Sequence, residues 1–158
     1  MTRSPTSRAT ARKVPGPPVL QFSIFLRNRV GALLDVVKLL DAHHIVVLAL
    51  SIQDSSESAI ARTIVSDPDL ARRLFQQEDI PFSDCEVLVV ELPEGPSDLG
   101  RMLSALLMAE VNIIYSYPLL TRPRSRAVLA IHVDDNECAS SVLGGEGFVI
   151  LNQADLSR

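Results

Sequence analysis

Apolar positions along this chain fall into two matched series. Val19 to Leu26 (VLQFSIFL) is an apolar, strand-like run, closed by a turn at Asn28-Arg29-Val30-Gly31. Ala32 to Ala42 follows, with Leu33, Val36, Val37 and Leu40 spaced along one helical face. Ile45 to Ile52 is β-branched and almost wholly apolar. Asp54 to Ser58 is a polar turn, and Ala59 to Val65 returns as a strand, which predicts a hairpin. Asp67-Pro68 supplies an N-cap and a proline at the first helical position, opening a helix to about Gln77. Pro81 and Phe82 begin another strand.

The series then repeats 66 positions later. Cys85 to Leu92 is strand-like, Glu94-Gly95-Pro96-Ser97 is a turn, Asp98 to Ala109 is helical and Val111 to Tyr117 is an apolar strand. Leu33 falls on Leu99, Leu40 on Leu106, Ile45 on Val111 and Val47 on Ile113. Ala127 to Val133 is the third strand, a short helix opens near Asn136 and stops at Gly144-Gly145, and Phe148 to Leu151 is the last strand. Asp134 aligns with Asp67 at an offset of 67, so the second hairpin turn has gained a residue.

Each series has the order βαββαβ, the ferredoxin-like split βαβ arrangement. The fold class is therefore α+β: two ferredoxin-like units, each an antiparallel sheet with helices on one face. The boundaries are a tail over 1–17, a first unit over 18–84 and a second over 85–158. The junction is tight, since Ile80 to Leu92 must supply the last strand of one unit and the first of the next. A short strand near Ile80 to Asp84, a bend, and then Cys85 to Leu92 is expected, with one long shared strand as the alternative.

Units of about 65 to 70 residues bury limited core, so they pack on each other or on a second chain. The 158 residues are 47% hydrophobic without a tryptophan, and no apolar run reaches the ~20 residues of a membrane span. Net charge is −4, but Arg3, Arg8, Arg12 and Lys13 put four cations and no acid in the first 17 residues, leaving −8 on the rest. An acidic body argues against nucleic acid as a partner. The tail, rich in Ser, Thr, Arg and Pro, reads as a disordered leader or as a transit peptide. Cys85 and Cys138 have no CxxC partner and read as reduced, packed residues of a cytoplasmic protein.

At Asn28-Arg29-Val30-Gly31-Ala32-Leu33 the chain resembles ACT domains, the small ligand-sensing modules of amino-acid metabolism. Their signature is Asp or Asn, often Pro, then Gly and Leu between the first strand and first helix. A second signature, a Gly-Ile-Asn-Ile type entry into the second strand, corresponds to Glu110-Val111-Asn112-Ile113-Ile114. The resemblance spans about 19 to 156 and is strongest to stand-alone tandem ACT proteins. The first turn departs from it with Val30 where Pro is common. The second has Pro96 but Ser97 where Gly is expected, with Gly95 displaced, and Val46 stands where the second unit has Asn112.

The resemblance implies a ligand-binding site at Asn28, Arg29, Val30, Gly31, Ala32, Leu33 and Ile45, with the matching set Gly95, Pro96, Ser97, Asp98, Leu99, Asn112 and Ile113. An amino acid presents a carboxylate, which unpaired N–H groups at a helix start would hold. Gly31 permits close approach. The side-chain oxygen of Asn28 or Asn112 would accept from the ammonium, and Leu33, Ile45 and Leu99 would meet the ligand side chain. Ordinary turn chemistry also accounts for Asn28 and Gly31.

Other candidates have structural explanations. His43-His44 ends a helix, where a cation suits the dipole, and no third metal ligand accompanies them. His132 is structural, Gly144-Gly145-Glu146-Gly147 is a helix stop, and Arg122, Arg124 and Arg126 form a solvated turn. Tyr115 and Tyr117 share one face of a strand, in a core or a unit-to-unit interface. No nucleophile–base set or carboxylate pair appears, so no catalytic residue, metal or cofactor is expected. The expected protein is a non-catalytic, homodimeric sensor of an amino acid, held where ACT units meet. The alternative is a regulatory subunit of an amino-acid biosynthetic enzyme, resembling the acetolactate synthase small subunit.

Overall fold

The structure, a computed structural model, describes residues 16–27, 31–54 and 58–157. The first series folds as β1 (Val19–Arg27), α1 (Ala32–Ala42), β2 (Val47–Asp54), β3 (Ser58–Val65), α2 (Pro68–Gln77) and β4 (Phe82–Leu92). The second continues as α3 (Asp98–Met108), β5 (Ile113–Pro118), β6 (Ala127–Val133), α4 (Asn136–Gly145), β7 (Ile150–Leu151) and α5 (Gln153–Leu156). Local chemistry sets the ends. The Asp67 carboxylate accepts from the Leu70 N–H with Pro68 at the first position of α2. The His43 ring lies 3.0 Å from the Leu39 carbonyl oxygen at the end of α1. The basic tail through Pro15 lies outside the described residues.

The expected bend at residue 84 is absent: β4 runs unbroken through Asp84-Cys85, which contain neither proline nor glycine. It serves both halves. Phe82–Val87 pairs with β1, and Leu88–Leu92 pairs with β6. The antiparallel sheet has the order β2-β3-β1-β4-β6-β5, with β7 against Val89 and Val90. It curls until its outer strands meet, the Leu120 N–H donating to the Leu48 carbonyl at 2.8 Å.

Three cores follow from this curl. Phe22, Phe75 and Phe82 pack edge-on beneath α1 and α2. Met102, Leu106 and Leu143 pack on Leu88, Val90 and Leu92 beneath α3 and α4. On the opposite face of the sheet lie Val19, Leu48, Ile64, Val87, Val89 and Val128, joined by Leu156 of α5. The two-residue alternation of β4 therefore feeds two different cores.

A polar network crosses the central core. Gln21, fully buried, donates to the Tyr115 hydroxyl at 2.7 Å and accepts from the Tyr117 hydroxyl at 2.6 Å. The Arg62 guanidinium lies 3.9 Å over the Tyr115 ring, which stacks on His132. Tyr115 and Tyr117 thus join the second half to β1 and β3 of the first. Burial pushes the Tyr117 phenol far above its ordinary range and raises the Cys85 thiol, which suits a packed, inert cysteine.

Two further positions differ from expectation. The cap of α4 is Asp135, whose carboxylate accepts from the Cys138 N–H, because Asp134 is taken by the Asn112 backbone and side-chain amides. The second hairpin therefore gained two residues. After β7, Asn152 and Asp155 form a capping box that starts α5, a helix without counterpart in the first half. Among the described residues no helix is long and apolar enough to cross a membrane.

Candidate functional site

The first turn leaves the end of β1. Asn28, Arg29 and Val30 lie outside the described residues; Gly31 closes the turn at φ 87°, where a side chain would be strained. Among the described residues no side chain caps α1, and none caps α3. By contrast, Asp67, Asp135 and Asn152 cap α2, α4 and α5. The start of α1 presents its first-turn N–H groups at the positive end of the helix dipole, with Asp35 in that first turn. Beside them a cleft of about 950 Å³ runs between α1 and the α2–β4 turn, bounded by Phe25, Arg27, Ala32, Asp35, Asp79 and Pro81. Leu33 packs half-buried on the underlying core and Ile45 lies within it.

The second turn is built differently. Gly95–Ser97 wind into a 3-10 turn that runs straight into α3. Asp98 stands 66 positions after Ala32 and is only 5% exposed. Its carboxylate accepts from the Glu94 N–H at 2.8 Å and meets Arg101 at 3.4 Å. The positive end of α3 therefore carries an anion of its own. Pro96 and Leu99 are exposed, Ile113 is half-buried at the start of β5, and the exposed Asn112 is tied to Asp134.

The structure keeps the two turns apart. Because β1 and β4 are antiparallel, the first turn lies at the Phe82 end of β4 and the second leaves at Leu92. Ten residues of strand separate those ends by roughly 33 Å.

The expected solvated arginine turn is corrected. Arg124 and Arg126 bind the carboxylate of Glu91, which is fully buried on β4; Arg126 approaches to 2.6 Å. Burial alone would raise the Glu91 carboxyl, but the two guanidiniums outweigh it and hold it below its ordinary range. Glu91 follows the alternation of Val87 and Val89 onto the central face, so its register was the available signal. Among the described residues no group of three or more His, Cys, Asp or Glu is placed to hold a metal ion.

This arrangement sets two βαββαβ halves on one curled sheet, a paired ferredoxin-like fold. The chain belongs to the ACT domain pair family, whose model matches residues 18–158. It is similar to the crystal structure of protein BT0572 from Bacteroides thetaiotaomicron at 28% identity, covering 89% of this chain and 96% of that one, with a TM-score of 0.81. The ligand-free regulatory subunit of aspartate kinase from Thermus thermophilus shares the fold at 15% identity and a TM-score of 0.56, over 83% and 91% of the two chains. The regulatory subunit from Thermus flavus does so at 16% and 0.53, over 82% and 93%. No curated protein matches the sequence.

Proposed function

We propose that this protein is a non-catalytic, cytoplasmic regulatory module that binds an amino acid at its first turn. The observation that carries this role is the contrast between the two helix starts. Among the described residues neither α1 nor α3 has a side-chain cap, but α1 begins at Ala32 beside an open cleft, whereas α3 begins with the buried carboxylate of Asp98. One working turn is therefore expected, at Gly31, Ala32 and Leu33 with the neighbouring Asn28, Arg29 and Val30. With the turns at opposite ends of β4, the ligand completes its shell from a second copy of the chain. A thermal-shift screen of the purified protein against the twenty amino acids, with sizing before and after each hit, tests this. A concentration-dependent rise for one or two of them supports the role through mass action, and no rise at millimolar concentrations sinks it.

A second role, a subunit docking on an amino-acid biosynthetic enzyme, is favoured by one observation. Leu99, Leu103 and Leu107 recur every fourth residue along the outer face of α3, with Leu107 76% and Met108 88% exposed. Such a face suits a protein surface. Stoichiometric co-purification with a catalytic chain, lost in Leu107→Glu, would favour this role.

A further inference from the structure

A cleft of about 650 Å³ opens where the two halves of the curled sheet meet. It sits beside Ser66, just past the end of β3, whereas the first turn lies by the start of that strand. Its floor is apolar, with Val46 and Leu48 from around the start of β2 and Leu151 and Leu156 from the second half. Its rim is basic. Arg122 is exposed, and its guanidinium has no ion pair or hydrogen bond among the described residues. Arg124 stands two residues on, partly engaged by Glu91. His44, held in a left-handed turn at φ 58°, lines the side belonging to the first half. The one acid in the lining, Asp155, is engaged by the Asn152 N–H at 2.9 Å. Thr121 also lines the cleft, and its hydroxyl has no hydrogen-bond partner among the described residues.

We infer that this cleft is a second small-molecule site, for an aliphatic carboxylate held by Arg122 with its hydrocarbon body on Val46, Leu48 and Leu156. The volume falls within the range of about 300 to 1,000 Å³ typical of such sites. A free guanidinium matches a carboxylate with two parallel hydrogen bonds. A phosphate would call for a cradle of backbone donors, and the floor offers hydrocarbon instead. Because both halves line the cleft, its occupant favours their present packing over any opened arrangement. This site is independent of the first turn.

The test uses the full ¹⁵N-labelled chain, titrated with isovalerate, inorganic phosphate and isopentylamine while amide shifts are followed. Isovalerate is expected to shift Val46, Leu48, Thr121 and Arg122 saturably, with phosphate weaker and the amine silent. Arg122→Ala, which removes an exposed side chain and leaves the melting temperature unchanged, should weaken isovalerate roughly ten- to hundredfold. Val46→Asp should do the same by setting a carboxylate against a carboxylate. The inference is overturned if isovalerate fails to saturate by about 10 mM, a range where specific contacts would already register. It is equally overturned if Arg122→Ala binds like the parent, or if phosphate binds as tightly as isovalerate, which would mark a general anion patch. Shifts confined to α1 would overturn this site and leave the first-turn role standing.

Discussion

Replacing Ala32 by aspartate would copy into the first half the device that closes the second. Asp98 places a carboxylate at the start of α3, and Ala32 is the equivalent residue at the start of α1. An anion there gains about 0.3 to 1 kcal/mol from the helix dipole. In a chain of this length that corresponds to a rise of roughly 1 to 4 °C in melting temperature, less whatever the half-buried position costs in desolvation. A ligand carboxylate approaching the start of α1 would meet a like charge. Losing one charge-assisted hydrogen bond of about 1.5 to 3 kcal/mol weakens binding roughly ten- to hundredfold. The assay is a melt of Ala32→Asp with and without the amino acid that shifts the parent, beside Ala32→Asn as a neutral control of similar size. The expected outcome is an unliganded protein at least as stable as the parent, whose ligand-induced shift vanishes in the aspartate variant and survives in part in the asparagine one. An aspartate variant that binds like the parent refutes the assignment of the carboxylate to this helix start.

Four other outcomes are expected. Glu91 is held below its ordinary carboxyl range, so its contribution is complete above the ordinary glutamate value of 4.5 and is lost as pH falls through the lower folded value; on acidification the parent should therefore lose more stability than Glu91→Gln. The combined Arg124→Ala and Arg126→Ala change strands a buried carboxylate and should lower stability in urea denaturation more than Glu91→Gln does, since the arginines left by the latter are half-exposed. Tyr117→Phe removes the donor to buried Gln21 and should cost about 1 to 3 kcal/mol by the same measurement. Leu107→Glu should leave the melting temperature of dilute protein unchanged while lowering any concentration-dependent mass seen on sizing, since Leu107 makes little contact within the chain.

Much of the fold was legible because its signals are local. Apolar runs, the Asp67-Pro68 helix start and the glycine stop near residue 145 all act within a few residues, and the structure keeps them. What escaped notice depends on contacts distant in sequence. Nothing near Asp134 tells it apart from Asp135 as a cap; the choice is made by Asn112, 22 residues away. Arg124 and Arg126 look like solvent-facing turn residues until β6 pairs with β4 and brings Glu91 beneath them. The first turn was located by its motif, but the difference between the two helix starts needed the observed placement of the Asp98 carboxylate.

The shared strand also explains where this chain can change length. Side chains on a strand alternate between faces, so a single inserted residue in β4 would throw its hydrophobic phase out for every position beyond. With β1 and β6 both reading that phase, one slip would turn Val89 toward the helices or Leu88 away from them, and no compensating slip in one half would leave the other intact. The hairpin turns bear no such obligation. The spacing between the two halves is held at 66 from Leu33–Leu99 through Val47–Ile113, and reaches 68 only past the second hairpin, at the caps Asp67 and Asp135. β4 thus acts as a fixed ruler for the duplicated pattern, and length drift accumulates in the loops that no ruler spans.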